Sequence, residues 1–161
     1  MSRVVIVSGS AGDATHVGAI ATAVEKLGVR VVTRVASAHK VPEFALSVLR
    51  RYDNDGIATV FITVAGRSNA LSAFADAAVL SPVIACPPPS DAFAGADIWS
   101  SLRMPSGVCP VVVLEPANAA LAAVKMLALH NPGLRDAVSS AQQSGASAVY
   151  EADAAAWDAT E

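Results

Sequence analysis

Apolar positions along the chain follow two alternating rhythms. Short runs rich in β-branched residues, Arg3–Val7, Arg30–Val35, Thr59–Val64, Pro82–Ala85 and Pro110–Leu114, have the length and residue types of strands. Val31–Val35 in particular reads as a buried strand. Between the strands, apolar residues recur every three or four positions. Val17, Ile20, Ala21, Val24 and Leu27 predict a helix over about 14–27, and Gly28 is the residue favoured just past a helix end. Phe44, Val48, Leu49 and Tyr52 predict the buried face of a second helix over 42–53. Pro42 opens it, because the N–H that proline lacks has no partner at the first helical position. Asp53-Asn54-Asp55-Gly56 reads as a turn. A short helix is expected up to about Ala77, and Ser90–Met104 divides into loop and a helical stretch around Asp97–Leu102. Ala117–Leu129 is apolar almost all round, which predicts a helix that is buried or lies in an interface. Beyond Asn131-Pro132-Gly133 the tail is rich in Ala and Ser with weak periodicity. It is expected either as helix packed on a neighbouring subunit or as partly disordered chain. Strict alternation of strand and helix predicts one α/β domain over 1–161, a three-layer αβα sandwich around a mainly parallel sheet.

Composition changes this picture in one respect. With 161 residues, 53% hydrophobic and 16% charged, and a mean hydropathy of +0.48, the chain is apolar for a soluble domain. Its longest apolar run, Ala119–Leu129, is broken by Lys125 and falls well short of the ~20 residues of a spanning helix. No membrane partner is expected; surplus apolar surface then belongs in a subunit interface, and a homo-oligomer follows. A net charge of −3 without a Lys/Arg cluster argues against nucleic acid. Arg50-Arg51 reads as a solvated helix face. The first strand begins almost at once, with no signal-peptide pattern, so a cytoplasmic location is expected, with Cys86 and Cys109 as reduced thiols. Cys109 is assigned to packing; Cys86, at the end of a strand, has the better claim to a site. No Cys/His spacing of a metal motif occurs.

Five loops leave the carboxyl ends of the five strands, the edge where open α/β sheets bind ligands. Ser8-Gly9-Ser10-Ala11-Gly12-Asp13 runs into a helix amino end, where backbone N–H groups and the helix dipole suit a phosphate. Ser10 can add a hydroxyl, and Asp13 can cap the helix or accept from ribose hydroxyls. A plain capped turn accounts for the same residues equally well. Neither Gly-x-Gly-x-x-Gly nor Gly-Lys-Ser/Thr is present. The second loop carries Ser37, His39 and Lys40. An imidazole with an ordinary pKa near ~6.5 can take or give a proton at neutral pH. His130 is read as a dipole-favoured residue at a helix end and His16 as structural. The third loop, Ala65-Gly66-Arg67-Ser68-Asn69, brings a guanidinium and a hydroxyl, while Ser68 or Asn69 is also placed to cap the next helix. Lys40 and Arg67 suit an anionic small molecule. Strand three ends Val64-Ala65-Gly66, without the phosphoacceptor Asp of a response regulator, and the loops hold no aromatic pair to stack on a flavin.

Taken together and in this order, Ser37-Ala38-His39-Lys40-x-Pro42, Ala65–Asn69, Cys86-Pro87-Pro88 and Asp97–Gly107 resemble the PurE family. The resemblance is closest to its class II branch, the 5-aminoimidazole ribonucleotide (AIR) carboxylases of purine biosynthesis, and it covers about residues 3–130. It implies a flavodoxin-like sheet of order 2-1-3-4-5, usually in an octamer with sites at subunit contacts. It also implies carboxylation of AIR at ring carbon 4 by CO2, giving 4-carboxy-AIR (CAIR), without cofactor, metal, ATP or biotin. His39, Lys40 and Ser68 would then stand at the reacting centre, with Ser8, Gly9, Ser10, Asp13, Ser37, Gly66, Arg67 and Asn69 around the nucleotide. The Trp99–Gly107 segment, from this or a neighbouring subunit, would close over the base, with Trp99 as an interface anchor. The mutase branch, which moves a carboxyl group from the N5-carboxyamino nucleotide, typically has Arg after the histidine and a second His after strand three; this chain has Lys40 and Gly-Arg-Ser-Asn. Gly12 stands where the family usually has a second phosphate-loop Ser, and Val41 and Ala70 stand where class II commonly has Gly. Two other readings compete: the mutase, and a non-catalytic nucleotide-phosphate binding module on the same fold.

Overall fold

The computed structural model describes residues 1–158. Five parallel strands, β1 (Ser2–Ser8), β2 (Arg30–Val35), β3 (Ala58–Val64), β4 (Val83–Ala85) and β5 (Val111–Val112), form one sheet of order β2-β1-β3-β4-β5. The helices between and after them are α1 (Ala14–Lys26), α2 (Pro42–Asp53), α3 (Ala70–Ala78), α4 (Trp99–Leu102), α5 (Pro116–Ala128) and α6 (Pro132–Asp158). Short 3₁₀ segments precede α1 (Ala11–Asp13) and α4 (Ala92–Ile98). Gly28, at φ +77°, follows α1 in the left-handed conformation that ends many helices.

Successive side chains of a strand face opposite ways, so each central strand feeds two cores. Val4, Ile6, Val60, Ile62 and Ile84 pack beneath α1, α5 and the start of α6. Val5, Val7, Phe61 and Val83 pack beneath α2 and α3. Covered on both faces, β1 and β3 are buried almost throughout, as an interior parallel sheet requires. At the opposite end from the loops of interest, the buried Arg3 guanidinium braces the sheet. It donates to Thr59 Oγ1 (3.1 Å), to the Tyr52 carbonyl and to the Asp55 carboxylate (2.7 Å).

Several sequence expectations need correction. β2 is an edge strand paired only with β1, so Thr33 and Val35 are exposed and the strand is only half-buried. Helix α2 buries Ala45, Val48 and Leu49, with Tyr52 packed beside them, at the spacing of one helical stripe. Phe44 falls one position off that stripe and is 47% exposed, with the Arg34 guanidinium 6.0 Å from its ring centroid. β5 has two residues instead of five, because it pairs only with β4 and Pro110 has no N–H to give. Cys109 is exposed, not packed. Its backbone N–H donates to Asp76 (2.7 Å). The tail is one continuous helix whose first turns bury Leu134 and Val138 in this chain's own core, while residues 139–157 are exposed. Positions 159–161 of the expected tail lie outside the described residues.

Candidate active site at the carboxyl edge of the sheet

Register places the loops. Ser8 stands opposite Val35 on one side and Val64 on the other, so β1, β2 and β3 end level. Ala36 N–H then donates to the Ser8 carbonyl (2.8 Å) and Gly9 N–H to the Val64 carbonyl (2.9 Å), which locks three loop starts side by side. Three neighbouring parallel strands with level ends carry those loops to one rim.

Each loop has its own turn chemistry. Ser10 Oγ accepts from Gly12 N–H (3.1 Å) and caps the 3₁₀ turn ahead of α1, whereas Asp13 makes no capping bond to that helix. Ser37 Oγ accepts from Lys40 N–H (3.3 Å), and the Ser37 carbonyl accepts from Val41 N–H (3.0 Å). That tight turn throws His39 and Lys40 outward, where both are exposed. In the third loop Arg67 adopts φ +55°, rare for a side-chain-bearing residue, and Asn69 Oδ1 caps α3 by accepting from Ser72 N–H (3.2 Å).

A cavity of about 640 Å³ opens among these loops. Gly9, Ser10 and Asp13 line it from the first loop, Ser37, His39 and Lys40 from the second, and Gly66, Arg67 and Ser68 from the third. Pro88, Pro89 and Ser90, past the end of β4, form its far wall. Two expected contacts do not reach it. Ser8 is the last residue of β1 and is buried, its Oγ directed at the Arg34 carbonyl (3.5 Å). Asn69 is buried too, with its amide spent on Ser72 and Ser101. Leu71, at the start of α3, and Ser90 also line the cavity, and the sequence singles out neither. Ser90 had a signal, since it directly follows a proline run at a strand's carboxyl end. Leu71 had none, because one face of a short helix does not announce which neighbour it meets.

Comparison with known proteins adds an independent finding. The sequence model of the family described as AIR carboxylase matches residues 3–148. The chain belongs to the AIR carboxylase family. A phosphoribosylaminoimidazole carboxylase of Treponema denticola is 47% identical over 150 residues, 93% of this chain and 94% of that protein. One of Archaeoglobus fulgidus is 49% identical over 151 residues, 94% of this chain and 83% of that protein. The crystal structure of Treponema denticola PurE superposes with a TM-score of 0.94 at 46% identity, covering 96% of this chain and 98% of the other.

On this AIR carboxylase frame a second hollow, of about 430 Å³, adjoins the first and shares Ala65, Gly66, Arg67, Pro88, Pro89 and Ser90 with it. His16, Pro87, Asp97, Ile98, Leu114 and Glu115 complete it. At its edge His16 Nε2 stands 3.4 Å from Cys86 Sγ, and the buried thiol is 3.5 Å from the Leu114 carbonyl, to which it donates. Burial first, and the Glu115 charge second, push the Cys86 thiol up to about 12. It therefore stays protonated at neutral pH and is no nucleophile. Of the segment expected to close over the base, 99–107, Ser100 and Ser101 of α4 bond to the Arg67–Asn69 loop of the same chain. Trp99 is 68% exposed.

Proposed function

We propose that the chain carboxylates AIR at ring carbon 4 with CO2, giving CAIR in de novo purine biosynthesis, with His39 as the general base. The observation that carries this reading is the convergence of His39, Ser68 and the Ser10–Asp13 loop on one cavity, in a chain of the AIR carboxylase family. AIR is an electron-rich aminoimidazole whose carbon 4 attacks the carbon of CO2. A carbon–carbon bond forms, an electron pair of CO2 moves to oxygen, and the ring becomes cationic. His39 then takes the proton from carbon 4, and the electron pair of that C–H bond restores the aromatic ring. Ser10 and the backbone of its loop receive the phosphate, and Asp13 accepts from ribose. Lys40, Arg67 and the Ser68 hydroxyl supply positive potential and a donor where the carboxylate develops. Holding a neutral, weakly bound gas beside the ring replaces the entropy of a chance encounter.

Lys40 and the Gly66-Arg67-Ser68-Asn69 loop favour direct use of CO2 over mutase chemistry. Purified protein supplied with AIR and a CO2/bicarbonate buffer is expected to form CAIR, and with the N5-carboxyamino nucleotide to form CAIR only from the AIR and CO2 that its spontaneous decay releases. The opposite preference assigns the mutase reaction, and binding without turnover of either assigns a non-catalytic module. The assembly proposed is a homo-octamer in the cytoplasm. Among the described residues no helix is long and apolar enough to cross a membrane.

A further inference from the structure

Arg67 and Ser68 line the cavity from a loop with unfavourable backbone geometry at Arg67. A left-handed conformation is disfavoured for a residue with a Cβ, and it persists only where the surroundings over-determine it. Those surroundings are a chain of hydrogen bonds centred on Asn69, which is 3% exposed and does not line the cavity. Below the loop, Asn69 Oδ1 accepts from both Ser72 N–H (3.2 Å) and Ser72 Oγ–H (2.8 Å). Because a backbone N–H can only donate, the amide orientation is settled: oxygen toward Ser72, nitrogen away. That nitrogen donates to Ser101 Oγ (2.9 Å) in α4. Asn69 N–H donates to Ser100 Oγ (2.9 Å), and the Ser100 hydroxyl proton is placed for the Arg67 carbonyl (3.0 Å) or the Asp97 carbonyl (2.8 Å). Thr63 Oγ1, on β3, stands 3.0 Å from Ser72 Oγ and anchors the chain to the sheet.

We propose that Asn69 is a positioning residue that acts with Ser100 and Ser101: the three clamp the strained Arg67–Ser68 turn to α4 and the sheet, aiming the Ser68 hydroxyl and the Arg67 guanidinium at the reacting carboxyl group. Asn69 thus meets no ligand itself. This rests on the carboxylase reading, while the clamp is also measurable without turnover. In chemical terms, the phosphate and ribose contacts lie in other loops, so loosening the clamp costs the chemical step more than it costs binding.

Ser100→Ala and Ser101→Ala remove one anchor each, and neither serine lines the cavity. Both variants are expected to lose about tenfold or more in kcat, with KM for AIR changed less than threefold, and Ser100→Thr is expected to recover the loss. Asn69→Ala combined with Ser101→Ala is expected to be no worse than Asn69→Ala alone, since both cut the same bond. Hydrogen–deuterium exchange at the amides of residues 66–70 is expected to rise in each Ala variant. Wild-type kcat in both serine variants, a loss confined to KM, additive effects in the double variant, or unchanged exchange would each overturn the proposal. If the wild-type protein carboxylates no AIR, the functional reading fails, and the exchange measurement alone decides whether the clamp exists.

Discussion

Replacing His39 with Asn keeps a planar polar group on the turn and removes the one atom able to accept a proton from carbon 4. Nothing in the loop's own bonds uses the imidazole, since the turn is held by Ser37 Oγ and the Ser37 carbonyl. The variant should therefore bind AIR within about threefold of wild type by calorimetry, with carboxylation down by about 10²- to 10⁴-fold. Near-normal turnover would assign the base elsewhere. The two cysteines differ for physical reasons. Exposed Cys109 should react with a disulfide reagent at pH 8, while Cys86, buried and held protonated, should react only after unfolding. Two equivalents titrating in the native protein would contradict that burial. At this scale residue type was readable in the sequence, but the direction of a side chain was not. Ser8 and Asn69 sit in the expected loops and turn inward, because a strand's last residue and a helix cap must satisfy backbone groups first.

Elements are tied together by a few charged groups whose ionisation the fold exploits. Asp53, at the end of α2, accepts from the Leu80 and Ser81 amides (3.0 and 3.1 Å) and from Ser81 Oγ (2.6 Å) just ahead of β4. Burial opposes its charge, but the Ser81 hydroxyl and the two amides outweigh it and hold its carboxyl below the ordinary value of 3.8. The Arg3 guanidinium, more than its own partial desolvation, does the same for Asp55. Both groups bind fewer protons folded than unfolded, so their contribution is present above pH 3.8 and lost as the pH falls through the lower folded values. Thermal midpoints measured between pH 6 and pH 2 should drop less steeply for Asp53→Asn than for wild type, from a lower starting point. Equal slopes would remove Asp53 from the acid response. Periodicity predicted α1 and α2, whereas the weakly periodic tail left helix and disorder both open, and the departures have identifiable causes. α2 buries the stripe Ala45, Val48 and Leu49, which leaves Phe44 half-exposed at its edge.

At the scale of the whole molecule, the described residues leave large apolar side chains in the open: Phe93 84%, Trp99 68%, Leu129 69% and Tyr150 74% exposed. Phe93 precedes and Trp99 opens the α4 helix that anchors the Arg67–Ser68 turn, so any surface that covers them also bears on that anchor. Scattered exposed apolar residues are ordinary, but this many on a 161-residue chain of positive mean hydropathy supports burial between subunits. Sedimentation at micromolar concentration is expected to give a particle of eight 16.3 kDa chains. A monodisperse monomer would refute the assembly proposed here.

Alternation of β-branched runs with helical stripes was enough to determine the layers, because burial on two faces of a parallel sheet demands that pattern and few others. The candidate site was legible as three loops of small and polar residues at strand ends, which line one cavity. What only the tertiary structure decided is which of those residues share one hollow. Level strand ends bring Ser10, His39 and Ser68 to one hollow, and hydrogen bonds across 31 and 32 positions commit Asn69 to α4. Contacts between residues so distant in the chain leave no periodic trace, since they depend on how packed elements meet and not on local spacing.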